Sequence, residues 1–133
     1  MDLEKVLSVS GKPGLYVLVS QSRNGAIVEG MEDKKRFPVL QVNKLSALKD
    51  IAIYTHNEEV PLKEVYQRIA KKENYGEAIS HKASSDELKA YVEEIIPDID
   101  HERVYQSDFK KLIQWYNLLV KNEYITENPD PAE

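Results

Sequence analysis

The sequence predicts an α+β protein: an N-terminal SH3-like or Tudor-like antiparallel small β-barrel over residues 1–58, a three-helix unit over 59–126 and a disordered tail at 127–133. Three observations carry this reading. Up to Tyr54 the apolar residues come in short runs rich in Val, Ile, Tyr and Phe, whereas after Glu59 they recur at helical spacing. Turn signals separate the short runs. Charge divides at the same place: residues 1–58 hold 8 Lys/Arg against 7 Asp/Glu, and 59–133 hold 10 against 16, which together give the net charge of −5.

Leu15-Tyr16-Val17-Leu18-Val19, Ala26-Ile27-Val28, Phe37-Pro38-Val39-Leu40-Gln41-Val42 and Ile51-Ala52-Ile53-Tyr54 read as strands, four or five in all. Pro13-Gly14 is a type II turn signal leading into the first of them. Arg23-Asn24-Gly25 marks a tight turn, because Asn and Gly accept positive φ, and Glu32-Asp33-Lys34-Lys35 is a polar hairpin tip. Successive hairpins make an antiparallel meander. Closure into a barrel buries both a face and the edges, and Leu45-Ser46-Ala47-Leu48 is expected to form the short helical turn before the last strand.

The first helix starts at Pro61, suited to a first helical position, and carries Leu62, Val65, Tyr66 and Ile69 to about Glu73, where Asn74-Tyr75-Gly76 stops it. The second has a capping box, Ser84 three residues before Glu87, then a stripe of Leu88, Val92, Ile95 and Ile96 that Pro97 ends. The third is capped near Ser107-Asp108 and presents Phe109, Leu112, Ile113, Tyr116, Leu119 and Val120 as far as Lys121. No internal repeat or low-complexity linker separates the halves, so they pack together or exchange partners between chains.

Composition excludes several classes. Without cysteine there is no disulfide framework, thiolate zinc site or thiol nucleophile. The charged start Met1-Asp2-Leu3-Glu4-Lys5 lacks the apolar core of a signal peptide, and no run approaches the roughly 20 apolar residues of a membrane helix. The expected setting is the cytoplasm, with no membrane contact. Gly11-Lys12 is not a P-loop, because the preceding glycine is missing, Pro13 has no N–H to offer a phosphate, and a β-rich run replaces the helix.

Leu7-Ser8-Val9-Ser10-Gly11-Lys12-Pro13-Gly14-Leu15, Ser20-Gln21-Ser22-Arg23-Asn24-Gly25, Val28-Glu29 and Arg36-Phe37-Pro38-Val39 resemble a family of small Bacteroidetes proteins known as domains of unknown function. In the second half, Arg103-Val104-Tyr105, Ser107-Asp108, Lys110-Lys111 and Trp115-Tyr116-Asn117 are similar to the helical companion domain of the same proteins. The resemblance implies a two-part architecture and carries no activity, cofactor or catalytic residue with it.

No catalytic residue, cofactor or metal site is expected. His56 and His81 lie in separate loop regions without a nucleophile elbow, and read as surface histidines. The expected function is a non-catalytic binding or adaptor module. Its candidate polyanion site is Lys12, Arg23, Lys34, Lys35 and Arg36, with Tyr16, Phe37 and Tyr54 either stacking bases or filling the barrel. Nucleic acid is less favoured as a partner than another protein or a second copy of the chain, contacted through Phe109, Leu112, Trp115, Tyr116 and Leu119. Two other readings are a small metal-dependent hydrolase using Asp98, Asp100, His101 and Glu102, and a self-associating structural subunit.

Overall fold

The computed structural model describes residues 3–12, 14–40 and 44–126. Seven strands precede three helices: β1 (Val6–Val9), β2 (Tyr16–Ser22), β3 (Gly25–Gly30), β4 (Arg36–Val39), β5 (Leu45–Ala47), β6 (Ala52–Tyr54), β7 (Glu59–Pro61), α1 (Leu62–Lys72), α2 (Ser85–Ile95) and α3 (Gln106–Lys121). Three sequence readings fall outside the described residues: Pro13 of the first turn, Gln41-Val42 of the third strand, and the tail 127–133.

β1 to β5 form one antiparallel sheet in the order β4-β3-β2-β1-β5. This corrects the barrel. Among the described residues β4 and β5 stand at opposite edges with no ladder between them, so the sheet is open. The strand meant to complete the barrel is taken elsewhere: β6 pairs with β7 in a separate hairpin, Ile53 opposite Val60 and Tyr54 opposite Glu59. A hairpin spanning four loop residues costs less chain entropy than returning to a distant edge. Leu45–Ala47 is a strand on β1, and the expected short helical turn comes one step later as a 3₁₀ turn at Leu48–Asp50.

Turn chemistry explains the meander. Gly14 has φ +83°, the value required at the third position of a type II turn. At Gly25 a Cβ would collide with the Val39 carbonyl on β4, so the β2–β3 turn needs glycine for close approach. β2 pairs with β3 from Tyr16↔Gly30, and its register slips between Leu18 and Ser20, which leaves Val19 as the extra residue of a bulge.

The two faces of this sheet are buried in different ways. Leu7, Val9, Val28 and Val39 form a cluster with Tyr16, Leu18, Phe37, Leu45 and Ala47, all from the sheet itself. Val28 is nevertheless 0% exposed. Among the described residues no helix joins that cluster, so its burial comes from the sheet's own side chains packing on one another. Val6, Leu15, Met31 and Leu48 instead join the helices in one core with Tyr66, Ile69, Ile96, Ile113, Tyr116 and Leu119.

α1 follows β7 directly, with Pro61 at its N-cap. At the start of α2 the Ser84 hydroxyl caps the helix by accepting from the Glu87 N–H (3.2 Å), as expected, but Glu87 reaches back to the Ser84 hydroxyl (3.0 Å) rather than to its backbone N–H, so half of the expected box forms. α3 begins one turn earlier than its expected caps: Asp108 sits inside the first turn and accepts from the Tyr105 N–H at 2.9 Å. The α1–α2 connection is fastened to α3 through Asn117, which accepts from Ala78 N–H and donates to the Ile79 carbonyl, while the Tyr116 hydroxyl donates to the Gly76 carbonyl. The segment before α3 joins the β6–β7 hairpin, since Asp100 N–H donates to the Tyr54 carbonyl and His56 N–H to the Asp98 carbonyl.

Candidate functional site

On β1 the side chains of Leu7 and Val9 enter the sheet's own cluster, so Ser8 points to the helix side, where Val6 is core. Ser46 on β5 lies directly opposite Ser8. At this corner the helix-facing surface is polar, the apolar contact with α3 ends, and a cleft of about 570 Å³ opens. Lys12 from the β1–β2 turn, Lys44 at the entrance to β5 and Lys111 on α3 line it, with Ser10, Gln114 and Trp115. Among the described residues its lining holds three lysines and no carboxylate, in a chain of net charge −5. Elsewhere many cations are paired, as in Arg36–Glu29 (3.0 Å), Lys49–Glu4 (3.0 Å), Lys72–Glu94 (2.9 Å) and Lys121–Glu32 (3.2 Å). Among the described residues Lys12, Lys44 and Lys111 have no carboxylate partner; Lys12 sits 4.2 Å above the Phe37 ring.

A second, apolar groove of about 320 Å³ continues the cleft and shares Ser8, Ser46, Lys111 and Trp115 with it. Its floor is Ile51, Ile53, Leu62, Val104 and Leu112. Spacing on α3 explains why one helix serves both halves: Asp108, Lys111, Leu112 and Trp115 follow at three- and four-residue intervals and share one face. Arg103, at the far end, is engaged by Asp100 at 3.5 Å and by the Tyr54 ring at 5.2 Å.

Residues 51–119 match the model of a domain of unknown function, DUF6852, over just over half of the chain, and residues 3–48 match a second, DUF5606. The chain belongs to the DUF6852 family. A solution NMR structure from Bacteroides vulgatus, a structural genomics target, is 50% identical to it, with a TM-score of 0.75 over 94% of this chain and 90% of that one. The resemblance drawn from the sequence is therefore correct, in both halves. No curated protein matches the chain. The two matched stretches adjoin at the 3₁₀ turn, and the cleft lies across that junction: Lys12 and Lys44 come from the DUF5606 part and Lys111 from the DUF6852 part.

In this member of the DUF6852 family the five cations read from the sequence do not converge. Arg23 is in the β2–β3 turn, at the opposite end of β3 from Lys34 and Lys35, roughly 17 Å away along a strand of this length. Arg36 is paired with Glu29, and Asp33 accepts from the Lys35 N–H. Only Lys12 reaches the cleft. Lys44 and Lys111 carry no site signal in the sequence, because nothing in it joins positions 12, 44 and 111. Of the aromatic residues, Tyr16 and Phe37 pack edge to face (5.5 Å) in the sheet's own cluster, while Tyr54 is 40% exposed beside Arg103.

Phe109, Leu112, Tyr116 and Leu119 are buried in the chain's own core, which leaves Trp115 as the partly exposed member of the stripe. The acidic-histidine segment disperses. Asp98 accepts from the Asn57 side chain, Asp100 closes its own turn through Glu102 N–H, and His101 lies 4.0 Å from Glu93 with its ring against Phe109. Among the described residues no three His, Asp or Glu side chains gather as ligands for a metal ion. The strongly perturbed groups are hydroxyls of the helical core: burial raises Tyr66 and Tyr91, the latter also hydrogen-bonded to Glu73, and raises Tyr116 to about 12. They are structural, each covered by packing rather than facing the cleft.

Proposed function

We propose that this chain is a non-catalytic binding module whose ligand seat is the cleft between the β1–β5 corner and α3, and whose ligand is anionic. One observation supports this above the others: three lysines from three separate segments line one cleft to which, among the described residues, no carboxylate contributes, in an acidic protein. Cationic side chains along one cleft raise its local potential and favour an anion there, with Lys44 and Lys111 as the principal charges because the Lys12 ammonium rests on the Phe37 ring. The serine hydroxyls of Ser8, Ser10 and Ser46 add donors at the same wall. Among the described residues of the site no nucleophile–base pair is present, which favours holding over transforming the ligand.

Amide chemical-shift mapping with tripolyphosphate at low salt tests the seat. Shifts are expected at Ser8, Ser46, Lys111 and the Trp115 indole, to be abolished by Lys44→Glu with Lys111→Glu and weakened by added salt. A spectrum unchanged at millimolar tripolyphosphate would remove the proposal.

A further inference from the structure

Resting on that reading, we infer that the cleft and its apolar extension together take an extended acidic peptide segment of a partner protein, acidic residues at the lysines and an apolar side chain beyond Trp115. The site is bipartite. Lysines gather at the wide end, Lys12, Lys44 and Lys111, whereas the narrow end is floored by Ile51, Leu62, Val104 and Leu112 and its Arg103 is engaged by Asp100. The two halves adjoin at Ser8, Ser46, Lys111 and Trp115, so an extended ligand lying across those residues reaches both. A ligand complementary to such a wall has carboxylates at one end, an apolar group at the other, and a polar backbone between for the serine hydroxyls.

A polynucleotide fits less well. Its phosphates need cations that track the whole path. Here the narrow end presents Asp108, and the one guanidinium there, Arg103, is already held by Asp100 and the Tyr54 ring. The chain's net charge of −5 opposes a long polyanion but not a short acidic stretch reaching one basic cleft. An acidic peptide with an adjoining leucine matches both ends.

Trp115 is the chain's only tryptophan, so intrinsic fluorescence reads the site directly. The probes are an acetylated peptide of three glutamates followed by leucine, its all-glutamate counterpart, a uridine hexanucleotide, decanoate and tripolyphosphate. The leucine peptide is expected to bind about tenfold more tightly than the all-glutamate one, the gain from burying one aliphatic side chain. Lys111→Glu abolishes both, and Ala52→Leu, which fills the groove, removes only the difference. If that variant does not fold, replacing the peptide's leucine by valine and then alanine must weaken binding stepwise. Equal affinity of the two peptides, with tripolyphosphate still bound, overturns the peptide inference and leaves the anion seat standing. Tighter binding of the hexanucleotide or of decanoate overturns it in favour of that ligand. Silence from every probe overturns both readings.

Discussion

The two faces of the five-stranded sheet differ in what keeps water off them. One face is covered, among the described residues, by the sheet's own side chains: Tyr16, Leu18, Phe37, Leu45 and Ala47 pack over Leu7, Val9, Val28 and Val39. The other depends on α1, α2 and α3, and there the core is continuous from Val6 and Met31 to Ile113 and Leu119. A self-covered face needs no partner but holds only a small cluster. A helix-covered face holds a large one, and it can also be left deliberately incomplete: where Ser8 and Ser46 replace apolar residues, the layers part and the cleft forms.

Alkaline pH separates the faces most strongly. Tyr66, Tyr91 and Tyr116 belong to the helix side and are raised mainly by burial, Tyr116 to about 12. Below the unfolded tyrosine pKa of about 10 both states keep the proton and stability is unaffected. Between about 10 and 12 the unfolded chain releases protons that the folded chain retains. Stability then falls as pH rises, by at most about 1.4 kcal/mol per pH unit for a fully sealed hydroxyl and by less for one that water reaches. Urea denaturation from pH 9 to 11.5 measures this, and a flat profile would mean that the hydroxyls are not sealed.

Cavities make the next largest contrast. Ile113→Ala, at 0% exposure on the helix side, is expected to cost about 3–4 kcal/mol. Val28→Ala, equally buried on the self-covered side, removes fewer atoms from a smaller cluster and is expected to cost about 1.5–2 kcal/mol. Equal losses, read from denaturant midpoints at constant slope, would erase the distinction. The smallest effect belongs to the ion pair between the β3–β4 turn and the end of α3: both Lys121 and Glu32 are largely exposed, so Lys121→Ala should change stability by less than about 1 kcal/mol, and by less still in high salt. A larger, salt-insensitive loss would place the join between the layers at that pair.

The helices were legible because their signals are local. Ser84 and Glu87 stand one turn apart, Pro97 follows α2, and the stripe of α3 runs through consecutive turns. Strand existence was partly legible and strand partnership was not. Val6–Val9 and Glu59–Pro61 are too short and too mixed with polar residues to stand out, and Ile51–Tyr54 looks the same whether it closes a barrel or pairs with β7. Only the register decides, and register is a long-range property. The site suffered the same limit. Lys12 and Trp115 each attracted notice alone, but their meeting with Lys44 and Lys111 follows from strand order and the placement of α3. One signal was present: Ser8 on β1 and Ser10 just beyond its end alternate with Leu7 and Val9, a polar row beside core residues.

Pro38 sits in an edge strand, and its position there governs how the protein behaves at high concentration. Gly30 N–H donates to the Lys35 carbonyl, so Lys35, Phe37 and Val39 turn their backbone polar groups toward β3, and Arg36 and Pro38 turn theirs outward. Pro38 has no N–H, and the outward row of β4 therefore lacks a donor where an incoming strand would pair. At the other border β5 is three residues long and follows Lys44. An open sheet with one border lacking that donor and the other short and charged does not template addition of further chains, so the molecule can forgo barrel closure without becoming a seed for polymerisation.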